Sequence, residues 1–480
     1  MKSFSVLFVL GVLVGSLFSQ TINRDVIKWD NSTRPETLNQ KADGYRGIWY
    51  YNQKLNNEYV YKYSGGLGTY CAKHRPFAVY CKEVDKTFFC YGGRKKDENT
   101  LIHMVSYFDH KTHKVPKPTI LVDKETTDAH DNPVISVDDK GYIWIFSSSH
   151  GTGRPSFIHR SKKPYDIDEF EWILTTNFSY TQPWYLKDKG FLFFHTVYGF
   201  VEGVARTSCF MKSADGINWT EPKAIAAIEL GHYQISEANE TKAGVAFNMH
   251  PRPKGLNWRT NLYYMETLDA GETWQTVDGK VLQTPVTAVK NPALIHDYQA
   301  EGLNVYLKDI SFDSENHPVL LYITSKGFES GPQNDPRTWT TARWNGEEWI
   351  IREGMTSDNN YDMGSLYVYE NSWRIIGPTE TGPQPYNPGG EMALWISHDQ
   401  GKTWSMEKQL TKNSERNHTY ARRPVNAHDD FYAIWADGHG RQPSKSLLYF
   451  TDKSGEHVYQ LPETMENEME SVKSYKMHER

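Results

Sequence analysis

The sequence predicts an all-β protein, a seven-bladed β-propeller, and three observations support this prediction. Three segments, 213–219, 267–274 and 397–404, share a Ser/Thr-x-Asp turn that is followed by a Trp. Looser versions of the same pattern occur between and around them. The intervals hold short apolar runs separated by turn residues, without a long stretch of helical period.

Each of the three turns, of the kind called an Asp box, has a local physical reason to form. The Asp side chain accepts hydrogen bonds from the turn, a glycine permits a positive φ, and the Trp re-enters the sheet as a buried anchor. With the looser versions included, the anchors are Val115, Trp172, Trp219, Trp274, Trp349, Trp404 and Val458, spaced 47 to 75 residues apart. One anchor in each blade gives seven blades. An array of β-sandwiches is the alternative, but it does not account for this spacing.

The intervening strands are predicted where apolar runs lie between turn clusters: 142–146, 190–194, 319–323, 372–376 and 431–435. Radial repetition of four-stranded blades leaves only short, protected sheet edges. To close the ring, we expect an early strand within residues 44–51 to join the last blade.

The N-terminus predicts export. Residues 1–20 combine the positive charge of Lys2, an apolar run and a short segment of small and polar residues at its end, which is the pattern of a signal peptide. No linker divides the rest, so residues 21–480 form one propeller domain in this interpretation, secreted or periplasmic and monomeric. The net charge of −6 and the lack of a basic stripe exclude nucleic acid as a partner, and no later apolar run is long enough for a membrane.

The four cysteines are too few for a disulfide-based scaffold. A turn centred on residues 84–87 would place Cys81 opposite Cys90, at a separation that a disulfide can bridge. A disulfide and two free buried thiols both remain open.

His130 and His150 are the first candidate site residues. His130 precedes a predicted strand in the segment DAHDNP, and His150 follows the next strand in SSSHG. A hairpin between them returns both residues to the same end of one blade. Two histidines that meet there can share substrate contacts and proton transfer.

Polar clusters in the next blades add further candidates: Tyr180, His195, Tyr198, Arg206, Tyr233, His250 and Arg259. A second polar group lies far downstream and includes 357–362, 384–386, 422–424, His428 and 436–439. It can line the other side of the axial cleft or form hydrogen bonds between blades, and the second interpretation is slightly favoured. The aromatic content of 14% also suits carbohydrate binding.

From about Gly44 to Leu461 the chain resembles the seven-bladed propeller ulvan lyases and related polysaccharide lyases with sialidase-type repeats. The segments that carry the resemblance are DAHDNP with SSSHG, NFSYTQP, GHYQIS and GLNWRTNLYY. It implies β-elimination on a uronate-containing, ulvan-type sulfated polysaccharide: a base removes the C5 proton, a cation neutralises the carboxylate, and an acid protonates the leaving C4 oxygen.

The resemblance implies catalytic roles for His130, His150, Tyr180 and Arg206, without ranking the histidines as base or acid. Arg259 is the other candidate for neutralising the carboxylate, and substrate-binding roles fall to His195, Tyr198, Tyr233, His250 and Arg259. One departure is Val197, where related propellers carry an Arg, and Arg206 is the expected substitute. No redox cofactor is required, and whether the axial channel holds a structural metal stays open.

Two alternatives remain at this point. A propeller glycoside hydrolase that cleaves a rhamnose–glucuronate linkage would release saturated sugar, and a non-catalytic glycan-binding propeller would release none. Sialidase activity is disfavoured, because no Arg-Ile-Pro motif occurs near the start of the chain.

Overall fold

The computed structural model describes residues 21–475 and is all-β apart from three short 3₁₀ turns: Arg24–Val26, Ala129–Asp131 and Pro332–Asn334. The predicted signal peptide lies outside the described residues. No helix among residues 21–475 is long and apolar enough to cross a membrane.

Most strands belong to antiparallel sheets that follow one another along the chain, here named sheets A to G. Sheet A contains Gln40–Lys41, Ala78–Cys81, Lys86–Arg94, Leu101–Asp109, Lys114–Pro116, Thr119–Asp123 and Met469–Ser471. Sheet B contains Pro133–Val137, Ile143–Ser147, Ser156–Ser161 and Phe170–Thr176. Sheet C contains Ser179–Leu186, Gly190–Tyr198, Arg206–Ser213 and Lys223–Ala226. Sheet D contains Gln234–Ala238, Ala243–Met249, Thr260–Thr267, Trp274–Gln275, Val281–Leu282 and Leu294–His296.

The C-terminal half continues the same pattern. Sheet E contains Asn304–Phe312, Pro318–Ser325, Arg337–Trp344 and Trp349–Ser357. Sheet F contains Ser365–Val368, Trp373–Glu380, Glu391–Ser397 and Ser405–Gln409. Sheet G contains Asn417–Arg422, Ala433–Gly438, Leu448–Thr451, Val458–Gln460 and Lys473–Ser474. A separate two-stranded sheet, the N-terminal hairpin, contains Trp49–Lys54 and Tyr61–Gly66.

The sheets surround a common axis as a β-propeller. Ala78–Cys81 of sheet A packs on the first strand of sheet B, and the first strand of each of sheets B to E packs on the first strand of the sheet that follows. The ring closes where sheet A meets sheet G: Val79 forms a parallel bridge to Val425, and Phe431 stacks on Phe89 and Phe450 at 5.6 and 4.4 Å between ring centroids. The core therefore consists of apolar layers between adjacent sheets.

The three Ser/Thr-x-Asp turns share one hydrogen-bond pattern. In each turn the hydroxyl accepts a backbone N–H at 2.8 Å from the glycine, which is Gly216, Gly271 or Gly401. The Asp carboxylate accepts a second backbone N–H of the turn at 2.8 to 2.9 Å. All three glycines have positive φ, so the side chains and the backbone fold this turn together.

Two expectations from the sequence need correction. Residues 44–51 do reach the last sheet, since the backbone N–H groups of Tyr45 and Gly47 donate to Pro462 and Ser446 at 2.8 and 3.0 Å, but they add no strand to it. Trp49–Lys54 pairs with Tyr61–Gly66, and the C-terminal strand Met469–Ser471 joins sheet A through Lys114–Pro116. Cys81 faces Lys86 rather than Cys90, because the turn is tighter than expected. Both cysteines are free and buried.

Candidate active site

The site begins at the junction between sheets A and B. Ala129–Asp131 forms a 3₁₀ turn whose N-cap, Asp128, accepts the backbone N–H of His130 at 3.0 Å. Pro133 then starts the first strand of sheet B, and the hairpin to Ile143–Ser147 returns the chain to the same end. The backbone N–H of His150 donates to Asp131 at 2.7 Å. The turn and the loop after the hairpin are thereby fixed to each other.

His130 and His150 meet as the hairpin argument predicted. Their rings stack with centroids 3.9 Å apart and planes 15° apart. Asp128 lies between their Nδ1 atoms: Nδ1–H of His130 donates to Oδ1 at 2.6 Å, and that of His150 donates to Oδ2 at 2.8 Å. This tautomer leaves a lone pair on the Nε2 atom of each ring, which can accept a hydrogen bond or a proton.

The electrostatics of this group follow from burial and proximity. Burial, followed by the proximity of His150, lowers the pKa of His130. Burial opposes ionisation of Asp128, but the two histidines outweigh it and hold its pKa far below the usual range. Arg154 adds a bidentate contact to Asp131 at 2.8 and 2.9 Å. Asp128 is therefore a permanent carboxylate that orients both rings.

Tyrosines surround the buried ring of His130. The hydroxyls of Tyr70 and Tyr63 lie 2.9 and 3.1 Å from its Nε2, whose single lone pair accepts from one of them. Tyr50 makes an edge contact at 5.9 Å. His130 is 3% exposed, whereas the side chain of His150 is 28% exposed. His150 is therefore the histidine that an incoming ligand can touch.

Tyr180 lies beside the pair, at 6.5 Å from the ring of His150. A β-bulge between Ser179 and Gln182 and a φ of 55° at Tyr180 aim its side chain out of the regular pleat. Its hydroxyl is 3.0 Å from that of Tyr198 and 3.5 Å from that of Tyr233. Burial raises the pKa of Tyr180 well above its usual value, so the phenol stays protonated.

Arg206 faces Tyr198 across neighbouring strands of sheet C. Its guanidinium lies over the ring of Tyr233 at 5.0 Å and contacts Nε2 of His250 at 3.4 Å. Nδ1–H of His250 donates to the carbonyl of Trp258 at 2.8 Å, which leaves Nε2 as the acceptor. The structure thus places Arg206 at the site. Val197, the position at which an Arg was expected from the resemblance, is buried in a separate apolar cluster.

Arg259 and Lys62 extend the site toward sheets D and E. Arg259 lies over Tyr233 and Tyr306 at 4.6 and 4.4 Å and donates to the hydroxyl of Tyr361 at 3.1 Å. Lys62, on the N-terminal hairpin, is 5% exposed and donates to Asn257 at 2.6 Å. Burial and the charge of Arg259 lower the pKa of Lys62 to about 7.

His195 is the one predicted residue that the structure places elsewhere. It is buried against Phe193 and Phe178 at 4.7 and 6.3 Å, and its Nδ1–H donates to the carbonyl of Phe193. The strand pleat turns its side chain into the apolar layer, so we assign it to packing. The downstream polar group mostly forms hydrogen bonds between loops, such as Gln384 with Asn417 at 3.0 Å.

Several residues of the site were not among the predicted candidates: Asp128, Arg154, Tyr50, Tyr63, Tyr70 and Lys62. Tyr361 belongs to the downstream group 357–362, which the sequence analysis named as able to line the other side of the cleft. Asp128 had a detectable signal, because it opens the same DAHDNP segment as His130. Tyr50, Tyr63 and Lys62 on the N-terminal hairpin, and Tyr70 just after it, had no such signal. Their approach to the site depends on how this part of the chain folds over the propeller. Asp128, His130 and His150 also offer ligand atoms within 4.8 Å of one another, so these three are the residues that could hold a metal here.

Comparisons with known proteins fit this geometry. The family described as "BNR repeat-containing family member" matches residues 86–357. The chain is 23% identical to an ulvan lyase of Nonlabens ulvanivorans, with 80% of this chain and 88% of that protein covered. It is 22% identical to an ulvan lyase of Alteromonas sp. (strain LOR), with 78% and 83% covered. A solved PL25 ulvan lyase bound to -[GlcA(1-4)Rha3S]- superposes with a TM-score of 0.65 at 16% identity, over 86% of this chain and 96% of that one.

Proposed function

The chain belongs to the BNR repeat-containing family, and we propose that it is a polysaccharide lyase that cleaves an ulvan-type acidic polysaccharide by β-elimination. The observation that carries this proposal is the His130–Asp128–His150 group beside Tyr180 and Arg206. The ulvan lyases to which the chain is similar give the substrate class.

Finer statements belong to the same proposal. Sheets A to G are the seven blades, and the three Ser/Thr-x-Asp turns are Asp boxes; the support is the run of sheets with four or more strands and the shared turn hydrogen bonds. The protein acts outside the cytoplasm, as a monomer, after removal of residues 1–20. The support for export is the signal-peptide pattern of the sequence.

The charge of the site favours an anionic substrate. Arg259 and Lys62 are buried and Arg206 is half-buried, and within residues 21–475 none of them has a carboxylate partner within 4.0 Å. A buried cation without a carboxylate partner is costly, because burial removes its hydration and the ring, hydroxyl and amide contacts around it carry no negative charge. A uronate carboxylate or a sulfate ester of the substrate would supply the missing negative charge.

In the proposed reaction His150 is the base. Asp128 fixes the tautomer with Nδ1 protonated, so the exposed Nε2 accepts the C5 proton. Arg206 neutralises the uronate carboxylate and thereby stabilises the negative charge that develops as the proton leaves. The neutral phenol of Tyr180 is only 1% exposed, so it supplies the proton to the C4 oxygen through the hydroxyl of the partly exposed Tyr198, 3.0 Å away, as the glycosidic bond breaks. His130 keeps Asp128 and His150 in place, buried among the tyrosines.

The same geometry disfavours a glycoside hydrolase. Hydrolysis of a glycoside in most families requires two carboxyl groups that flank the bond. Asp128 is engaged by both histidines, and Asp131 is buried and bidentate to Arg154. Neither is available as the acid or the nucleophile, which leaves the histidine and tyrosine chemistry of a lyase.

The test is to incubate the purified protein with a panel of uronate-containing polysaccharides and follow the ultraviolet absorbance of the unsaturated uronate product. Ulvan is expected to give the largest initial rate, and His150→Asn is expected to abolish it with an unchanged melting temperature. Release of reducing sugar without the absorbance change would establish the hydrolase instead. Binding without either product would establish a glycan-binding propeller.

A further inference from the structure

A second cluster of ligating side chains lies at the seam between sheets A and G. His110 follows the strand Leu101–Asp109, and His428 and Asp430 lie in the loop that precedes Ala433–Gly438. One ligand atom from each of the three lies within 4.8 Å of the others. The cluster joins the first sheet of the ring to the last.

This cluster is remote from the candidate active site. His110 lies beside Thr87, where Lys86 pairs with Asp109 at one end of sheet A. Asn132, next to the histidine pair, lies against Gly92 at the other end of the same strand. Five residues of extended strand between Thr87 and Gly92 correspond to about 16 Å. A ligand at the seam therefore cannot touch the active-site histidines.

His110 has the arrangement of a metal-binding histidine. Its side chain is 2% exposed, and its Nε2 is 2.8 Å from the hydroxyl of Thr87, which can accept the Nε2 proton. Nδ1 is then left with a lone pair, and this buried atom has no hydrogen-bond partner within the part of the chain that the structure describes. Metal-ligating histidines commonly donate their other N–H in this way.

His428 and Asp430 complete the set. The rings of His110 and His428 lie 3.8 Å apart. Oδ2 of Asp430 is 3.9 Å from Nδ1 of His110 and 3.8 Å from Nδ1 of His428. Both distances are too long for hydrogen bonds. The neighbouring Asp429 pairs with Lys453 at 3.1 Å, whereas the only ion pairs of Asp430 among residues 21–475 are with these two histidines.

We propose that His110, His428 and Asp430 bind a divalent transition metal ion of the Zn²⁺ class, which fastens the two ends of the ring. Two imidazoles and one carboxylate are ligands that zinc accepts at about 2.0 to 2.2 Å, with solvent as the fourth ligand at the half-exposed Asp430. A tetrahedral ion would bring the ligand atoms to about 3.4 Å from one another, which needs a movement of about half an ångström. The backbone N–H of Asp430 now donates to Nδ1 of His428 at 3.1 Å, and binding replaces that bond.

A similar cluster at Asp313, Glu315 and His317 provides a control. It offers one imidazole and two carboxylates, but Arg343 already pairs with Asp313 at 2.9 Å. A metal there would have to displace a guanidinium. The control variant His317→Gln should therefore leave metal binding unchanged.

The experiment uses the full chain after treatment with a chelator. Titration with Zn²⁺ is expected to raise the melting temperature by about 3–5 °C at a concentration of about 100 Kd, and Co²⁺ is expected to give the visible absorption of a four-coordinate site. Both effects should persist in His317→Gln and disappear in His428→Gln and in Asp430→Asn. These two positions are partly exposed, so the variants are expected to fold.

The proposal is overturned if zinc gives no thermal shift and cobalt gives no such spectrum. It is also overturned if both signals survive in His428→Gln and Asp430→Asn. If zinc inhibits lyase activity while both signals survive in the two seam variants, the ion binds at Asp128, His130 and His150 instead. Lyase activity of the chelated protein should be unchanged in both seam variants, since the seam is remote from the active site.

Discussion

Asp128→Asn is the sharpest test of the active-site geometry, because one carboxylate orients both histidines. The variant keeps the shape of the side chain but replaces two charge-assisted hydrogen bonds, at 2.6 and 2.8 Å, by neutral contacts. A hydrogen bond to a charged group contributes about 1.5–3 kcal/mol, against about 0.5–1.5 kcal/mol for a neutral one. Over two bonds the difference amounts to about 2–3 kcal/mol, so kcat is expected to fall about 30- to 160-fold.

The pH profile of the same variant has a defined direction. The Asp128 carboxylate favours the protonated form of His130. Its charge also lies 2.8 Å from Nδ1 of His150, so its loss removes an attraction that stabilises a positive charge on that ring. Because a base must be unprotonated to act, the acid limb of the kcat/KM profile is expected to move to lower pH. Initial rates of unsaturated product formation, measured across pH, give both quantities.

Glu266→Gln is the matched control. Glu266 is a buried carboxylate that pairs with Lys242 at 2.7 Å in sheet D, so the variant also breaks a buried ion pair. It should lower the melting temperature without changing kcat. If Asp128→Asn keeps kcat within about threefold of the parent and leaves the pH profile unmoved, Asp128 does not orient the base and the proposed roles are wrong.

Three further predictions follow from the packing and charge of the ring. Tyr180→Phe removes the proposed acid and should lower kcat by about 10²- to 10³-fold with little change in KM; a rate close to that of the parent would assign the acid elsewhere. Lys62→Met should raise KM for the polysaccharide and raise the melting temperature at pH 6, because the folded-state pKa of about 7 lies below the unfolded value. The destabilisation by Lys62 is complete below pH 7 and fades as pH rises toward the unfolded pKa, so an equal gain at high pH would refute the argument. Phe431→Ala removes a fully buried phenyl ring from the seam between sheets A and G. It should lower the free energy of unfolding by about 3–5 kcal/mol, measured by denaturant titration. A loss below about 1 kcal/mol would mean that other contacts close the propeller.

The sequence alone determined the repeating architecture and the meeting of His130 with His150. The turns could be predicted because their hydrogen bonds involve residues two to four positions apart, such as Asp399 with Thr403. The histidine pair could be predicted because a hairpin has a fixed period and returns to its starting end. His195 was misjudged for a related reason: one residue of pleat decides which face a side chain occupies, and the sequence does not fix which strand face lines the site.

Only the tertiary structure decided the rest of the site and the closure of the ring. Tyr63 and Tyr70 lie more than fifty residues from His130 in the chain, yet their hydroxyls contact its Nε2. Such contacts depend on where whole sheets and the N-terminal hairpin pack, and no local hydrogen bond encodes that placement. The same holds for Met469–Ser471, which pairs with sheet A across almost the full length of the chain. Local turn chemistry thus determines the sheets, and long-range apolar packing determines which of their polar ends meet.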